Sequence, residues 1–212
     1  MPKKSFKFMV LVFLLNFVLT SCMLFNETPE QAVTNALNAL KSSDWEIARK
    51  YVEDSELLDT SSDSENDNLI QDEESINLIL NKLSFKVISS AKKGNTATVK
   101  TEITNIDMSE IIGEYLLRGL AIAFQNSFSG ENEKSEEEKN AETKQIFIDL
   151  LNREDNKTRV STVDIKLSRH ENSWKIEVDE EFQDAVLGGL VTVKKDLEKS
   201  FNSWQESSDS ND

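Results

Sequence analysis

The sequence predicts an α+β protein in which an antiparallel sheet of two hairpins packs against helices. Several segments repeat apolar residues every three or four positions, which is typical of helices with one buried face. Two other segments alternate apolar and polar residues around short turns, which is typical of antiparallel strands with one wet face. The 6 glycines and 2 prolines are too few for an all-β fold built from many tight turns.

Two helix starts can be read directly from the residue types. Residues 28–31 combine a capping residue, Thr28, with Pro29 at the first helical position and Gln31, which completes a capping box. Asp44 is expected to cap a second, short helix that begins at Trp45.

Further helices are predicted near residues 76–83, 108–128 and 136–151, and a last one begins near residue 180. The helix at 108–128 is apolar around most of its circumference, so it is predicted to be largely buried. The last helix is predicted to be continuous, with a glycine pair at 188–189 that would let its outer half swing away. Its stripe of apolar residues is expected to pack in the core: Phe182, Val186, Leu190, Val193, Leu197, Phe201 and Trp204.

The first predicted hairpin pairs residues 84–91 with 96–105, and the second pairs 159–169 with 174–179. Within each strand, alternate positions are apolar and the positions between them are polar, which predicts one buried and one wet face. The inner face of the second strand is expected to carry Ala97, Val99, Thr101 and Ile103. Charged residues on the opposite faces suit cross-strand ion pairs.

Residues 28–204 are predicted to form a single α+β domain. Two segments near 53–74 and 130–142 are rich in acidic residues, serine and asparagine, and they are expected to be solvated loops. Residues 205–212 have the same composition and are predicted to be a disordered acidic tail.

The amino terminus has the layout of a signal peptide. Residues 1–7 carry three lysines and no acid, and of the twelve residues from 8 to 19 only Asn16 is polar. Because a membrane-spanning helix needs about 20 apolar residues, this run has the length of a signal-peptide core.

The four residues after that core match the bacterial lipobox, in which an aliphatic residue and two small ones precede a cysteine. Here they are Leu19, Thr20, Ser21 and Cys22, the only cysteine. Residues 1–21 are therefore predicted to be a lipoprotein signal peptide. Leu19, Thr20 and Ser21 would be recognised by the signal peptidase, and Cys22 would receive lipid.

Lipidated Cys22 would hold the protein on the extracytoplasmic face of the cell membrane, with residues 22–27 as a tether. Two acyl chains, for example palmitate, bind a protein stably to a membrane, whereas one chain binds it only marginally. Without residues 1–21 the chain keeps 21 basic and 39 acidic residues, a net charge of −18. That charge argues against nucleic-acid partners and against close contact with anionic headgroups.

Four stretches resemble segments of a known group of proteins. They are Thr-Pro-Glu-Gln-Ala-Val at 28–33, Ser-Ser-Asp-Trp-Glu-Ile-Ala-Arg-Lys-Tyr at 42–51, the strand at 97–108 and Asn-Ser-Trp-Lys-Ile at 172–176. In these the chain resembles nuclear transport factor 2-like (cystatin-like) lipoproteins of Gram-positive bacteria, over most of residues 28–190. The resemblance implies a curved sheet wrapped around helices as a cone-like roll with room for a pocket. Members are largely domains of unknown function.

Few residues suggest catalysis. His170, the only histidine, falls in a hairpin turn, and Tyr51 and Tyr115 lie on helical faces that are expected to pack. Asp164 lies on the charged strand face, and no phosphate-binding loop or zinc-ligand spacing occurs. We therefore predict no enzyme, no catalytic residue and no cofactor.

Residues 63–74 place acids at positions 1, 3, 5 and 12 of a calcium-loop pattern. However, Glu65 is long for its position, and Asn68 stands where glycine normally makes the turn. A solvated loop is the expected structure, and no metal site is predicted.

The leading hypothesis is a membrane-anchored, non-catalytic binding module. Its ligand would be a small apolar molecule in the cavity between sheet and helices, or an envelope protein partner. Two alternatives stay open. One is an isomerase- or hydrolase-type enzyme, which needs a buried carboxylate or histidine facing a cavity. The other is an acidic, calcium-responsive surface protein.

Overall fold

Four strands form one antiparallel sheet in the order β1-β2-β3-β4, and seven helices accompany it in the described part of the chain. The computed structural model describes residues 27–52, 73–128, 135–171 and 173–209. The strands are β1 (Ser84–Lys93), β2 (Thr96–Ile106), β3 (Thr158–His170) and β4 (Ser173–Ile176). The helices are α1 (Pro29–Lys41), α2 (Trp45–Ala48), α3 (Glu73–Asn81), α4 (Met108–Phe128), α5 (Glu136–Asn152), α6 (Glu180–Val186) and α7 (Leu190–Asp209). The predicted α+β class with its antiparallel sheet of two hairpins is confirmed.

The two hairpins join into one sheet because β2 and β3 pair along their length, from Thr96 opposite Ser168 to Ile106 opposite Thr158. A strand rises about 3.3 Å per residue, so the two ends of β2 lie roughly 33 Å apart. We call the end that holds both hairpin turns the turn end. The end at Ile106 and Thr158, where strands connect to helices, is the helix end.

One face of the sheet is buried beneath α1, α3 and α6. Its inward side chains are at most 5% exposed and alternate as predicted: Ala97, Val99, Thr101, Ile103, Val163, Ile165, Leu167, Trp174 and Ile176. On the opposite face, Lys100 and Asp164 form a cross-strand ion pair of 3.8 Å. Because such an exposed pair contributes at most about 1 kcal/mol, burial of the inner face is what stabilises the sheet.

The predicted caps are confirmed. The Thr28 hydroxyl accepts from the Gln31 amide at 3.3 Å, and the Thr28 amide donates to the Gln31 side chain at 3.0 Å. A carboxylate oxygen of Asp44 accepts from the Ile47 amide at 3.1 Å at the start of α2. Caps of this kind contribute about 1 kcal/mol each, so local sequence sets where these helices begin.

One helix boundary agrees with prediction and another differs. α5 begins at Glu136, where the helix over 136–151 is predicted, because Ser135 and Glu138 form a capping box; the acidic segment predicted as a loop at 130–142 is therefore helical from residue 136. α7 continues to Asp209, beyond the point where a disordered tail is predicted. Within it, Phe201 and Trp204 lie one turn apart with ring centroids 6.3 Å apart, a contact that helical spacing brings about.

The prediction of one continuous last helix is wrong, because a glycine pair separates α6 from α7. Gly188 and Gly189 have φ angles of +65° and +88°, which other residues rarely adopt. A Cβ on Gly188 would lie 2.0 Å from the carbonyl oxygen of Ile106. The carbonyl oxygen of Gly188 accepts from the Met108 amide at 2.9 Å. The glycine pair therefore serves close backbone packing at the helix end.

The prediction that residues 108–128 are largely buried is wrong beyond the first turns of α4. Met108 and Ile111 are buried, whereas Leu117, Leu120 and Phe124 are 68%, 68% and 67% exposed. An apolar sequence does not distinguish a buried helix from one that extends past the core, because both are apolar on every side.

Replacing Gly188 with alanine is expected to destabilise the fold by about 3 kcal/mol. The new Cβ meets a backbone carbonyl and the φ angle becomes unfavourable. Gly113→Ala is the matched control, because no atom lies within 4 Å of a Cβ there. Within a helix that change stabilises by about 0.5–1 kcal/mol. Urea unfolding curves give both values, and equal effects of the two changes would contradict the packing described.

Candidate functional site

Three helix segments extend past the core from the helix end of the sheet. α4 begins there after Ile106, α5 ends there before Thr158, and α7 begins there beside Gly188. The buried residues of these helices lie close to those junctions, and α4 packs against both α5 and α7. We define the helical projection as residues 113–128 of α4, 136–145 of α5 and 191–209 of α7.

The projection carries most of the large apolar side chains that are exposed in the described residues. We define the apolar face as Leu116, Leu117, Leu120 and Phe124 of α4 with Leu197, Phe201 and Trp204 of α7. Only three other large hydrophobic residues of the described chain are exposed: Ile47, Ile88 and Val160. Single exposed hydrophobic residues are ordinary, but a set on two helices that pack together is typical of an interaction surface.

A carboxylate links two helices at the base of the projection. Glu114 of α4 accepts from Arg118 at 2.6 Å and from Arg153, just past the end of α5, at 2.6 Å. The bond from Arg118, and then that from Arg153, holds the pKa of the Glu114 carboxyl below its usual value. The contact therefore joins α4 to the residue that follows α5, at the base of the projection.

At the turn end, Glu27 is the first described residue and is held by three hydrogen bonds. The indole Nε1 of buried Trp174 donates to the backbone carbonyl of Glu27 at 2.9 Å. A carboxylate oxygen of Glu27 accepts from the Tyr51 hydroxyl at 2.7 Å and from Asn35 Nδ2 at 2.7 Å. The point where the chain enters the domain is therefore bonded to the sheet, to α1 and to the turn after α2.

Tyr51 connects this entry point to the sheet. Its ring packs against the core, and its backbone carbonyl accepts from the Ile176 amide of β4 at 2.8 Å. Burial, together with the nearby carboxylate of Glu27, raises the pKa of the Tyr51 hydroxyl because both disfavour the phenolate. The hydroxyl thus stays a hydrogen-bond donor over a wide pH range.

The structure does not gather the candidate catalytic residues into one site. His170 is exposed at the end of β3 rather than in the turn where it is predicted, because it pairs with Ser173, and its Nε2 lies 3.1 Å from the Ser168 hydroxyl. Tyr115 packs edge-on against Phe147 with ring centroids 5.5 Å apart, and burial raises its pKa. Tyr51, Tyr115 and Asp164 have different partners in different parts of the fold, and both tyrosines pack as predicted.

Several predicted features lie outside the described residues: Leu19, Thr20, Ser21, Cys22 and residues 63–72 of the calcium pattern. Glu73 and Glu74, which complete that pattern, open α3, and Lys144 lies 3.5 Å from Glu74. Within the described ranges, no group of three or more histidine, cysteine, aspartate or glutamate side chains is arranged to hold a metal.

Two of the grooves that the described residues line are shallow. One of about 420 Å³ runs between α1 and α2 past Asn35 and Tyr51, and one of about 510 Å³ lies along α3 past Asn77. The inner face of the sheet, in contrast, is at most 5% exposed at Ala97 and less at the side chains beside it. A ligand-sized space would leave its walls accessible, so these side chains enclose none.

The apolar face is the feature that sequence patterns assign wrongly. The stripe in the last helix predicts core packing, yet Leu197, Phe201 and Trp204 are 43%, 56% and 65% exposed. The sequence does contain a sign of this exposure: between Val193 and residue 206, the helix has no apolar residue apart from these three. A stripe that narrow covers one neighbouring helix rather than a core.

No family model, no curated protein and no solved structure matches this chain. The resemblance to nuclear transport factor 2-like lipoproteins therefore stays a prediction. Among the described residues, no helix is both long enough and apolar enough to cross a membrane.

The hydroxyl of Tyr51 is expected to stabilise the fold by about 1 kcal/mol, since it bonds a carboxylate. Its raised pKa means that this contribution is complete below the ordinary tyrosine value and is lost as pH rises through the folded-state value. Urea unfolding of the wild type and Tyr51→Phe, at about pH 9 and about pH 11.5, measures the difference. The two stabilities are expected to converge at the higher pH.

Tyr115→Phe is measured alongside, because the hydroxyl of Tyr115, the second of the 2 tyrosines, is not bonded to Glu27 although burial raises its pKa as well. A larger loss at about pH 9 from Tyr51→Phe than from Tyr115→Phe is expected, because only Tyr51 bonds a carboxylate. A gap between the wild type and Tyr51→Phe that is the same at both pH values would contradict the role given to Tyr51.

Proposed function

We propose that this chain is an exported lipoprotein, anchored through Cys22 to the outer face of the cell membrane, whose domain binds an envelope protein partner without catalysis. The partner binds the apolar face. The observation that carries this proposal is the set of exposed apolar side chains on α4 and α7, at the end of the sheet away from Glu27.

The anchor is supported by the signal-peptide layout and the lipobox, and by how the domain receives the tether. From Cys22 to Glu27 an extended chain reaches at most about 18 Å, so the turn end lies close to the membrane. Trp174 and Tyr51 bind Glu27, and they pass any pull on the tether to the sheet. Without them, such a pull would fray α1.

A protein partner fits the position and the charge of the apolar face. The apolar face begins at the helix end, roughly 33 Å from the turn end. It is therefore too far from the anchoring membrane to contact it. Self-association is disfavoured, because a chain of net charge −18 repels its copies. A different protein, with an apolar surface rimmed by basic residues, complements both the face and the acidic chain.

The closed inner face of the sheet favours a protein partner over a small apolar ligand, the other option that the sequence leaves open. Val99, Ile103 and Ile165 are 0–1% exposed, so a ligand there would have to displace packed side chains.

The cone-like roll implied by the resemblance is part of the proposal, and the sheet with helices on one face supports it.

Lipidation is tested by intact-mass spectrometry of the full chain produced in a bacterium that processes lipoproteins. The membrane fraction is expected to contain a chain without residues 1–21, heavier than its polypeptide by a diacylglyceryl group or more. Cys22→Ser is expected to keep residues 1–21 and to carry no lipid. An unmodified Cys22 in a cleaved or full-length chain would contradict the anchor.

The partner site is tested with a photocrosslinking residue at position 120, in cells that make the full chain. The same residue at Val160, 61% exposed on the sheet, is the matched control. A heteromeric crosslink is expected from position 120 and not from position 160. A crosslink between two copies of this chain, or equal products from both positions, would contradict the proposal.

The captured protein is then purified and its Kd is measured directly. Leu117→Ser with Leu120→Ser is expected to weaken binding about 100-fold, because two leucine contacts of about 1.5 kcal/mol are lost. Ile88→Ser with Val160→Ser removes exposed apolar side chains elsewhere and is expected to leave the Kd unchanged. Equal losses in both pairs would mean that the apolar face is not the binding surface.

A further inference from the structure

A polar groove of about 420 Å³ runs between α1 and α2, beside the point where the chain enters the domain. Its volume lies within the range of small-molecule sites, which is about 300–1,000 Å³. The first wall is one face of α1, and the second wall is α2 with the residues on either side of it. The lining residues are Asn35, Asn38, Ala39 and Ser42 of the first wall, and Asp44, Ile47, Lys50 and Tyr51 of the second.

Helical spacing aligns the polar side chains of the first wall. Asn35, Asn38 and Ser42 stand three and four positions apart, so they follow one face of α1 and its carboxyl-terminal cap. Ala39 lies among them, and its small side chain leaves the space that forms the groove. The first wall therefore presents two amides and a hydroxyl above a small apolar floor.

The side-chain amide of Asn35 is held in one orientation. Its Nδ2 donates to the Glu27 carboxylate at 2.7 Å and to the Tyr51 hydroxyl at 3.2 Å. Both N–H groups of this amide are therefore used, and its Oδ1 has no donor among the described residues. Because the Tyr51 hydroxyl donates to the same carboxylate at 2.7 Å, the three side chains hold one another in place. Asn35 is thus a preorganised acceptor.

Three further polar groups of the groove have no partner in the part of the chain that the structure describes. They are the Asn38 side-chain amide, the second carboxylate oxygen of Asp44 and the Lys50 ammonium. The first carboxylate oxygen of Asp44 accepts from the Ile47 amide, which fixes that side chain and leaves the second oxygen for a ligand. The Ser42 hydroxyl donates to the carbonyl of Asn38 at 2.9 Å, so its oxygen still accepts.

The groove therefore combines donors and acceptors with one apolar position. Asn35 and Asp44 accept, Lys50 donates, and Asn38 does both. Because one carboxylate and one ammonium line the same groove, neither an anionic nor a cationic ligand is favoured. The apolar position is Ile47, which is 40% exposed. A neutral ligand complements this set if several of its groups both donate and accept and if it has an apolar face.

We propose that the groove between α1 and α2 binds a neutral saccharide. Each sugar hydroxyl both donates and accepts, so two neighbouring hydroxyls bond one amide or one carboxylate. The C–H groups of a pyranose ring form an apolar face that packs against Ile47. An extended peptide needs donors and acceptors in line along its edge, whereas the polar groups of this groove come from two helical segments.

Two sources supply this sugar chemistry at the place where the groove lies. Glu27, which bonds Asn35, is at most about 18 Å from Cys22, so the headgroup of a glycolipid in the anchoring membrane is within reach. A glycan of the cell envelope that carries no lipid offers the same hydroxyl groups. The saccharide site itself needs neither the anchor nor the apolar face, because described residues of the domain form all of it.

The test records nuclear magnetic resonance spectra of the full chain in phosphatidylcholine nanodiscs. The soluble probes are the disaccharides of glucose, galactose and N-acetylglucosamine, and the lipid probe is glucosyl-diacylglycerol included in the nanodisc. The side-chain amide resonances of Asn35 and Asn38 are expected to shift with a sugar probe. A shift with a soluble disaccharide assigns a lipid-free glycan, and a shift with the glycolipid alone assigns a headgroup; both support the saccharide site.

The dipeptide alanyl-alanine, at the same concentration, represents the peptide class. Shifts of the two amides with this dipeptide and with no sugar would overturn the proposal. The absence of shifts with every sugar probe would overturn it as well.

Asn38→Ala with Lys50→Ala is expected to weaken binding of the sugar probe about 30-fold, because two hydrogen bonds to the ligand are lost. Asn81→Ala with Lys82→Ala removes the same residue types at the end of α3, beside the second groove, and is expected to leave the affinity unchanged. Unchanged backbone resonances of the sheet show that both variants are folded. Equal losses in the two pairs would overturn the assignment of the site to this groove.

Discussion

The hydrogen bond from the Trp174 indole to the Glu27 carbonyl determines at which end of the sheet the chain enters the domain. It fixes the entry of the chain to β4, at one end of a sheet whose strands run roughly 33 Å to the other end. Tyr51 strengthens this attachment by bonding the Glu27 carboxylate. In the described residues, the entry of the chain at Glu27 and the helical projection therefore lie at opposite ends of the sheet.

At the other end of that axis, close backbone packing holds the helices that form the projection. Buried Asn105 donates to the carbonyl of Val186 at 2.7 Å, and its side-chain oxygen accepts from the Ile106 amide at 2.8 Å. Gly188 allows the turn between α6 and α7 to lie against Ile106. These contacts bury the junctions of the projection with the sheet and leave its outer turns exposed.

Local sequence predicts the elements well and their arrangement less well. The caps at Thr28 and Asp44 and the alternation in β2 locate helices and strands because neighbouring residues determine them. The β2–β3 pairing and the Trp174–Glu27 bond join residues far apart in the chain, and no local pattern encodes them. The apolar face is missed for the same reason: exposure of Leu120 depends on where the core ends, which is a property of the fold.

The central proposal is that the anchor at Cys22 holds the turn end near the membrane and the apolar face away from it. Energy transfer from a labelled cysteine to acceptors in the bilayer plane measures the height of that label in reconstituted vesicles. A label at Ser203 on α7 is expected to lie about 30 Å or more farther from the bilayer than a label at Asn95. Equal heights, or a lower height at Ser203, would contradict this arrangement.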